Sequence, residues 1–511
     1  MFPALQLSPC GLTTTLSFDG GHFYYAFSLI QHLGHRTFLR IQDKVRERRY
    51  QNFVFSAQKQ RVNIKEYHLT QSLDHFNPSF EKVFQQKYYI IDDYFKDPTG
   101  PVFLYIAGEG ALSTGEAGYG EHVELAEKYG ALVVAVEHRF YGSSINTDGL
   151  QLESLQYLSS QQALADLAEV HSQVTKDFKL ANNTWISFGG SYAGALTSWF
   201  RLKYPHLVYG AIASSAPVRA ELLFEEYMNV DAASLADPVV GGSKQCLDNV
   251  MTAFQKVDME LDMRRYTTVA SDFKSCGNLT SPADRSEFTS NLAGSIIGTI
   301  QYNNELPGFN ISIICQTMTA QDTPYMNLIA LNNAFLKAQG TSCVDSSFDD
   351  YVKMVANTIV DKGATGVGIR QWTFQTCAQF GYMQTCDRGT KCPFSTYMSE
   401  KYSDLKLCND LFKLQKMFVA DNIEFTNEYY GSDQPKGSRV VFVNGSIDPW
   451  HSLSVLKDLS ETEMAVFING TAHCANMQPS RPDDLPSLTQ ARQKISAQVG
   501  KWLQEAQFEK H

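Results

Sequence analysis

Ser191 stands among small residues, with Gly189 and Gly190 before it and Ala193 and Gly194 after it. An apolar run from Trp185 to Phe188 leads in, and Ala195 to Leu202 follows with helical character. A strand, a sharp turn and a helix together lift a serine hydroxyl clear of its backbone, and bulky neighbours would clash at the apex. The usual pattern has glycine two residues either side. Gly189 meets it; Ala193 departs from it, with Gly194 one step later. A Gly/Ser loop without chemistry has the same look in isolation, so the reading depends on partners. Asp448 lies in the loop Asn444 to Trp450, after the apolar run Arg439 to Val443. His473 closes Asn469-Gly470-Thr471-Ala472-His473, after the run Met464 to Ile468. Hydroxyl, imidazole and carboxylate are the parts of an acyl transfer. Ser191 would attack a carbonyl, His473 would take its proton and return it to the leaving group, and Asp448 would orient and stabilise the imidazolium. His451 is a second candidate base, ranked lower because it follows Asp448 at once instead of after a further strand.

The tetrahedral oxyanion of such a reaction needs preorganised donors. One is expected to be the backbone N–H of Tyr192, directly after the nucleophile, and the other to come from Gly108-Glu109-Gly110, where Gly108 and Gly110 allow close approach. A plain tight turn is the other reading of those glycines. Glu137-His138-Arg139-Phe140-Tyr141-Gly142 also stands at a strand end, and its charges are expected to pair with one another and order that edge.

Positioning these residues requires strands that end on a common rim. Phe84 to Ile91, Val102 to Ala107, Leu132 to Val136, the run before Ser191, and Val208 to Ala213 alternate with helical stretches. One of these, Leu158 to Val174, has Leu164, Leu167, Val170 and Val174 on one face. Strands alternating with helices imply a parallel sheet covered on both sides. The order Ser, Asp, His matches α/β-hydrolases and differs from the orders in chymotrypsin and subtilisin. The alternation stops near Val218 and resumes at Val440, and the interval is helical and rich in cysteine. The expected architecture is therefore α/β: an α/β-hydrolase domain over 66–218 and 431–511, with an inserted, mainly helical, disulfide-bonded cap over 219–430. Leu488, Ala491, Ile495, Val499 and Trp502 lie at helical spacing and suit a final helix against the sheet.

Eight of the ten cysteines fall between Cys246 and Cys408, which points to disulfides and an oxidising compartment. Cys10 and Cys474 are left as free thiols. Without paired C-x-x-C knuckles a metal site is disfavoured, and neither metal nor cofactor is expected. The net charge of −11 argues against a nucleic-acid partner. No apolar run approaches the length of a membrane span. A homodimer is an allowed state. Sequons at Asn182, Asn278, Asn310, Asn444 and Asn469 permit glycosylation of a secreted chain, the last two less so because they lie in the catalytic loops. Residues 1–65 read as an atypical, poorly patterned leader, missing or altered relative to a secretory signal. Within it, Arg36 to Tyr50 is a basic stretch suited to a membrane surface or a solvated helix.

Several of these motifs, taken together, resemble the serine peptidase family of prolyl carboxypeptidase and dipeptidyl peptidase II. They are Gly189 to Gly194, Ser214-Ser215-Ala216-Pro217-Val218, Glu137 to Gly142, Asn444 to Trp450, the loop carrying His473, Gln371-Trp372 with Gln375-Thr376-Cys377, and Cys392-Pro393-Phe394-Ser395. The likeness runs from about residue 67 to 503 and implies peptidase activity on a peptide substrate in the secretory or endosomal–lysosomal route. It also implies Ser191, Asp448 and His473 as the triad. Relatives often cleave after proline near a chain end. The competing functions are a serine esterase or lipase with the same triad, and a non-catalytic binding protein on a hydrolase scaffold.

Overall fold

Val102–Ile106 and Leu132–Val136 carry an unbroken run of apolar residues, as strands buried on both faces must. They belong to a sheet of eight strands, seen in a computed structural model that describes residues 36–60, 62–146, 148–180, 182–320, 322–360, 368–387, 389–400 and 405–509. Cys10 lies outside the described residues. The strands in chain order are β1 (Ile64–Ser72), β2 (Val83–Ile91), β3 (Val102–Ile106), β4 (Leu132–Val136), β5 (Trp185–Gly190) and β6 (Gly210–Ser214). A short outlying pair follows, β7 (Glu221–Leu223) and β8 (Gly381–Met383), and then β9 (Val440–Gly445) and β10 (Glu463–Ile468). The spatial order in the large sheet is β1-β2-β4-β3-β5-β6-β9-β10.

From β4 to β10 all pairings are parallel. The wholly parallel sheet expected from the sequence is corrected at one edge, where β1 with β2 and β2 with β4 run antiparallel. A short connection suffices for an antiparallel neighbour, whereas a parallel one needs a crossover of a dozen or more residues. No helix separates β1, β2 and β3, so a hairpin edge results.

Alternate residues of the strands feed two layers. Phe103, Ile186, Phe188, Val441 and Val443 face the C-terminal helix Pro486–Phe508 through its Leu488, Ala491, Ile495, Val499 and Trp502. These are the five positions singled out by helical spacing. Trp502 packs so close to β6 that a Cβ on Gly210 would stand 2.5 Å from its ring. On the other face, Leu104, Val134 and Ala211 share a core with Leu164, Leu167, Val170 and Val174 of the helix Ser160–Phe178. Each Val, Leu, Ile or Phe among them contributes about 1.5–3 kcal/mol by leaving water.

Between β6 and β9 the chain builds a helical cap, including Glu225–Ala236, Lys244–Asp262, Pro282–Gln301, Pro324–Gln339 and Lys416–Tyr430. Its eight cysteines pair as Cys246–Cys315, Cys276–Cys343, Cys377–Cys408 and Cys386–Cys392. Bridges of sequence separation 69 and 67 restrict the unfolded chain by about 4 kcal/mol each in the loop-entropy account. Cys474 is free and buried. No helix of the described residues is long and apolar enough to cross a membrane.

The largest departure from expectation is α1, the helix Arg36–Gln60. It is neither a patternless leader nor a solvated helix. Ile41 and Val45 are buried in the main core. Arg36 and Arg40 both pair with Asp345 at 2.9 Å, and Arg49 pairs with Glu305 at 3.0 Å. Gly294 and Gly298 open a groove for it on the cap helix Pro282–Gln301; a Cβ on Gly298 would come within 2.9 Å of Ile41. The arginines look solvent-facing in sequence because their acidic partners lie more than 250 residues away.

Candidate active site

Ser191 sits between β5 and the helix Tyr192–Lys203 with φ 60° and ψ −133°. A non-glycine residue held there stores about 1–3 kcal/mol of backbone strain, which survives only where surrounding bonds over-determine it. Here its N–H donates to Ser214 O at 2.9 Å, while its own carbonyl accepts from Gly194 N and Ala195 N at 2.9 and 3.1 Å. A Cβ on Gly189 would meet Ala193 O at 2.3 Å and Thr197 Oγ1 at 2.4 Å, and one on Gly194 would meet Ser214 O at 2.6 Å. The steric demand of the turn therefore falls on positions 189 and 194. The methyl of Ala193 faces Gly108, where even an added Cβ would lie 3.6 Å away. The alanine departure costs the turn nothing.

The loops after β9 and β10 bring the other two residues together. His473 Nδ1 and Asp448 Oδ1 are 2.9 Å apart, and Trp450 N donates to the same oxygen at 3.1 Å. Asp448 is fully buried and His473 is 5 % exposed. Burial opposes charge on the ring, but the Asp448 carboxylate and the Cys474 sulfur outweigh it and hold the imidazole pKa well above its usual value. The elbow and the His473 loop meet at the turn after β6: Ser191 N donates to Ser214 O, and Cys474 N donates to Ser215 Oγ at 2.9 Å. Cys474 also lies against β5, since a Cβ on Gly190 would be 2.8 Å from its sulfur. Among the described residues no hydrogen bond joins Ser191 Oγ to His473. With Nδ1 on Asp448, Nε2 is the nitrogen left for a proton transfer.

Behind this pair lies a support absent from the sequence reading. Gln301 ends the cap helix, and its carbonyl accepts from His473 N at 3.1 Å. Its amide oxygen accepts from Tyr227 Oη at 2.6 Å and Trp450 Nε1 at 3.0 Å. Tyr302 sets its ring edge-on to His473, 6.2 Å between centroids. Nothing local marks Gln301 or Tyr302, because their partners are more than 70 residues away on other elements.

Of the expected oxyanion residues, Tyr192 begins the elbow helix, its side chain buried. Its hydroxyl lies 3.0 Å from His138 Nε2 and accepts from Gln375 Nε2 at 2.9 Å. Gly108 lies beside Ala193, with an added Cβ 3.6 Å from Ala193 N. Gly110 is further out and abuts Arg46 of α1.

The Glu137-His138-Arg139 segment orders the edge, but not by internal pairing as expected. Glu137 accepts from Leu112 N, Ser143 N and Ser144 N and pairs with Lys87 Nζ at 2.8 Å. Arg139 pairs through Nε and Nη2 with Asp166, each at 2.7 Å. Neighbouring residues on a turn point apart, so each charge found a remote partner. His451 is turned away: Nδ1 meets Gly445 O at 3.1 Å and its ring packs on Phe467. Among the described residues no group of three or more His, Cys, Asp or Glu is arranged to hold a metal ion.

The sequence profile described as Serine carboxypeptidase S28 matches residues 71–495. Thymus-specific serine protease of Mus musculus is 40% identical over 448 residues, spanning 86% of this chain and 87% of that protein. Its Homo sapiens counterpart is 38% identical over 446 residues, spanning 85% and 86%. Lysosomal Pro-X carboxypeptidase of Homo sapiens is 27% identical over 464 residues, spanning 87% and 89%.

Proposed function

The chain belongs to the serine carboxypeptidase S28 family and is a serine-type peptidase; on that premise we propose that it is an exopeptidase working through an acyl-enzyme on Ser191. His473 accepts the Ser191 proton on Nε2 as the hydroxyl attacks the scissile carbonyl, and gives it to the departing amine. Asp448 keeps Nδ1 protonated and stabilises the imidazolium. Tyr192 N and the Gly108–Gly110 loop supply the oxyanion donors; losing one such donor typically costs about 3–4 kcal/mol of transition-state stabilisation. Water then resolves the ester by the same proton path.

The observation that carries this reading is the His473–Asp448 bond, 2.9 Å long and buried, beside a serine at φ 60°. An open serine–histidine contact does not count against it, because catalytic hydrogen bonds often tighten only when substrate binds. Residues 219–430 act as the cap that narrows the cleft and favours chain ends. A preference for proline-containing peptides is the specificity the Pro-X carboxypeptidase relatives suggest. Four disulfides suit the secretory and endosomal–lysosomal route. A fluorophosphonate probe tests the assignment: wild type is labelled and cleaves peptides, and Ser191→Ala loses both while its circular dichroism is unchanged. Activity retained in that variant refutes the assignment.

A further inference from the structure

Arg46 of α1 lies against Gly110, with Tyr302 near enough to act on its charge. Its guanidinium lies so close to Gly110 that an added Cβ would stand 2.2 Å from Nη1 and 2.8 Å from Nη2. Nη1 is buried with no hydrogen-bond partner. The fields of Glu116, Glu109, Tyr302 and Asp43 reach the guanidinium, but among the described residues no ion pair closes on it. Its neighbour Arg49, one turn on, is taken up by Glu305 at 3.0 Å. A buried cationic donor left unpaired is costly and calls for a role that justifies it.

Its place identifies the ligand. Tyr302 packs edge-on against His473, and Gly108 lies near Ala193, two residues past the nucleophile. Arg46, against Gly110 and within the field of Tyr302, thus stands on the side of the site that holds both His473 and the Gly108–Gly110 loop. In a C-terminal residue the α-carboxylate is two bonds from the leaving nitrogen, so a cation near the imidazole meets it whatever the side chain. A guanidinium presents parallel N–H donors that match a carboxylate. The geometry points to Arg46 as a specificity-determining residue that binds the free α-carboxylate of the peptide's last residue. This rests on the Ser191 peptidase reading above and deepens it. Glycine at 110 then has a stated purpose: any side chain there would displace the guanidinium.

The test uses the full-length protein and three matched peptides: a free acid, its C-terminal amide, and an amide ending in glutamate. Wild type prefers the free acid. Arg46→Gln lowers kcat/KM for the free acid roughly 10- to 100-fold, the range of one or two charge-assisted hydrogen bonds. The change lies mainly in KM, turnover of the amide stays within about twofold, and Arg46→Lys recovers part of the loss. Fluorophosphonate labelling of Ser191 persists in both variants. Equal loss on all three peptides overturns the inference, as does a selective loss on the glutamate amide, which would mean side-chain recognition. A gain on all three overturns it too, by showing that α1 obstructs the cleft. If wild type neither labels nor cleaves, the peptidase reading itself has failed; if it labels and cleaves without preferring the free acid, only the role of Arg46 has.

Discussion

Replacing Asp448 by asparagine keeps the shape of the side chain and removes one buried charge. At 2.9 Å from His473 Nδ1, a full carboxylate stabilises an imidazolium by about 5–6 kcal/mol at an effective dielectric of about 20. That is about four powers of ten in rate. Asparagine can still turn its oxygen toward both His473 Nδ1 and Trp450 N, so the ring orientation has a means of survival. The new amide N–H2, however, falls where Asp448 Oδ2 lies buried without a partner. The effect is therefore chiefly electrostatic, with a smaller cost for an unsatisfied donor. Two readouts separate this from misfolding. At neutral pH, kcat/KM on a fluorogenic peptide should fall about 10,000-fold with unchanged circular dichroism. The acid limb of the pH profile should also move downward, because burial, which lowers the imidazole pKa, would then act without the carboxylate that opposes it. The base must be neutral to work, so activity in wild type is lost as pH falls through the raised His473 value. A loss under tenfold, or an acid limb that does not move, refutes the role given to Asp448.

Gly189→Ala should cripple the elbow, since its methyl would lie 2.3 Å from Ala193 O and backbone cannot yield as a side chain can. We expect a destabilisation of about 1–3 kcal/mol and at least a 100-fold loss of kcat/KM; full activity would show that the turn relaxes freely. Glu121 supplies a pH-dependent prediction. Burial raises its carboxyl from 4.5 to about 8, against the Asn476 hydrogen bond and the Arg492 charge. Its contribution to stability is complete below 4.5 and is lost as pH rises through about 8, at about 1.4 kcal/mol per unit of separation. The thermal midpoint should decline from pH 5 to pH 8, and Glu121→Gln should flatten that decline; an unchanged slope refutes the shift.

Much of the core was legible because burial repeats with a local period. Val102–Ile106 and Leu132–Val136 announce themselves by continuous apolar residues, and Leu488 to Trp502 by spacing along a single helix. Ser191 was legible because the turn's sterics act within five residues, and Gly189 and Gly194 carry that demand on their own. The antiparallel edge was not, since strand direction depends on connection length and neighbour, neither of which appears in a strand's own composition. Gln301 and Tyr302 look like unremarkable residues at the end of a helix. They become part of the site only because the cap lays that end against His473.

Residues 36–60 show the boundary most clearly. Their arginines and lysines read as solvated because sequence reports charge and not its partner. Asp345 and Glu305, which neutralise Arg36, Arg40 and Arg49, are placed by the folding of the cap, and Gly294 and Gly298 open their groove only once that helix exists. The strands, the tight turn at Ser191, and the kinds and order of the candidate groups could be read from residue types, because those follow from sterics and periodicity along neighbouring residues. Which charges meet, where α1 packs and which nitrogen of His473 faces Asp448 came only with the fold, because those depend on contacts between segments far apart in the chain.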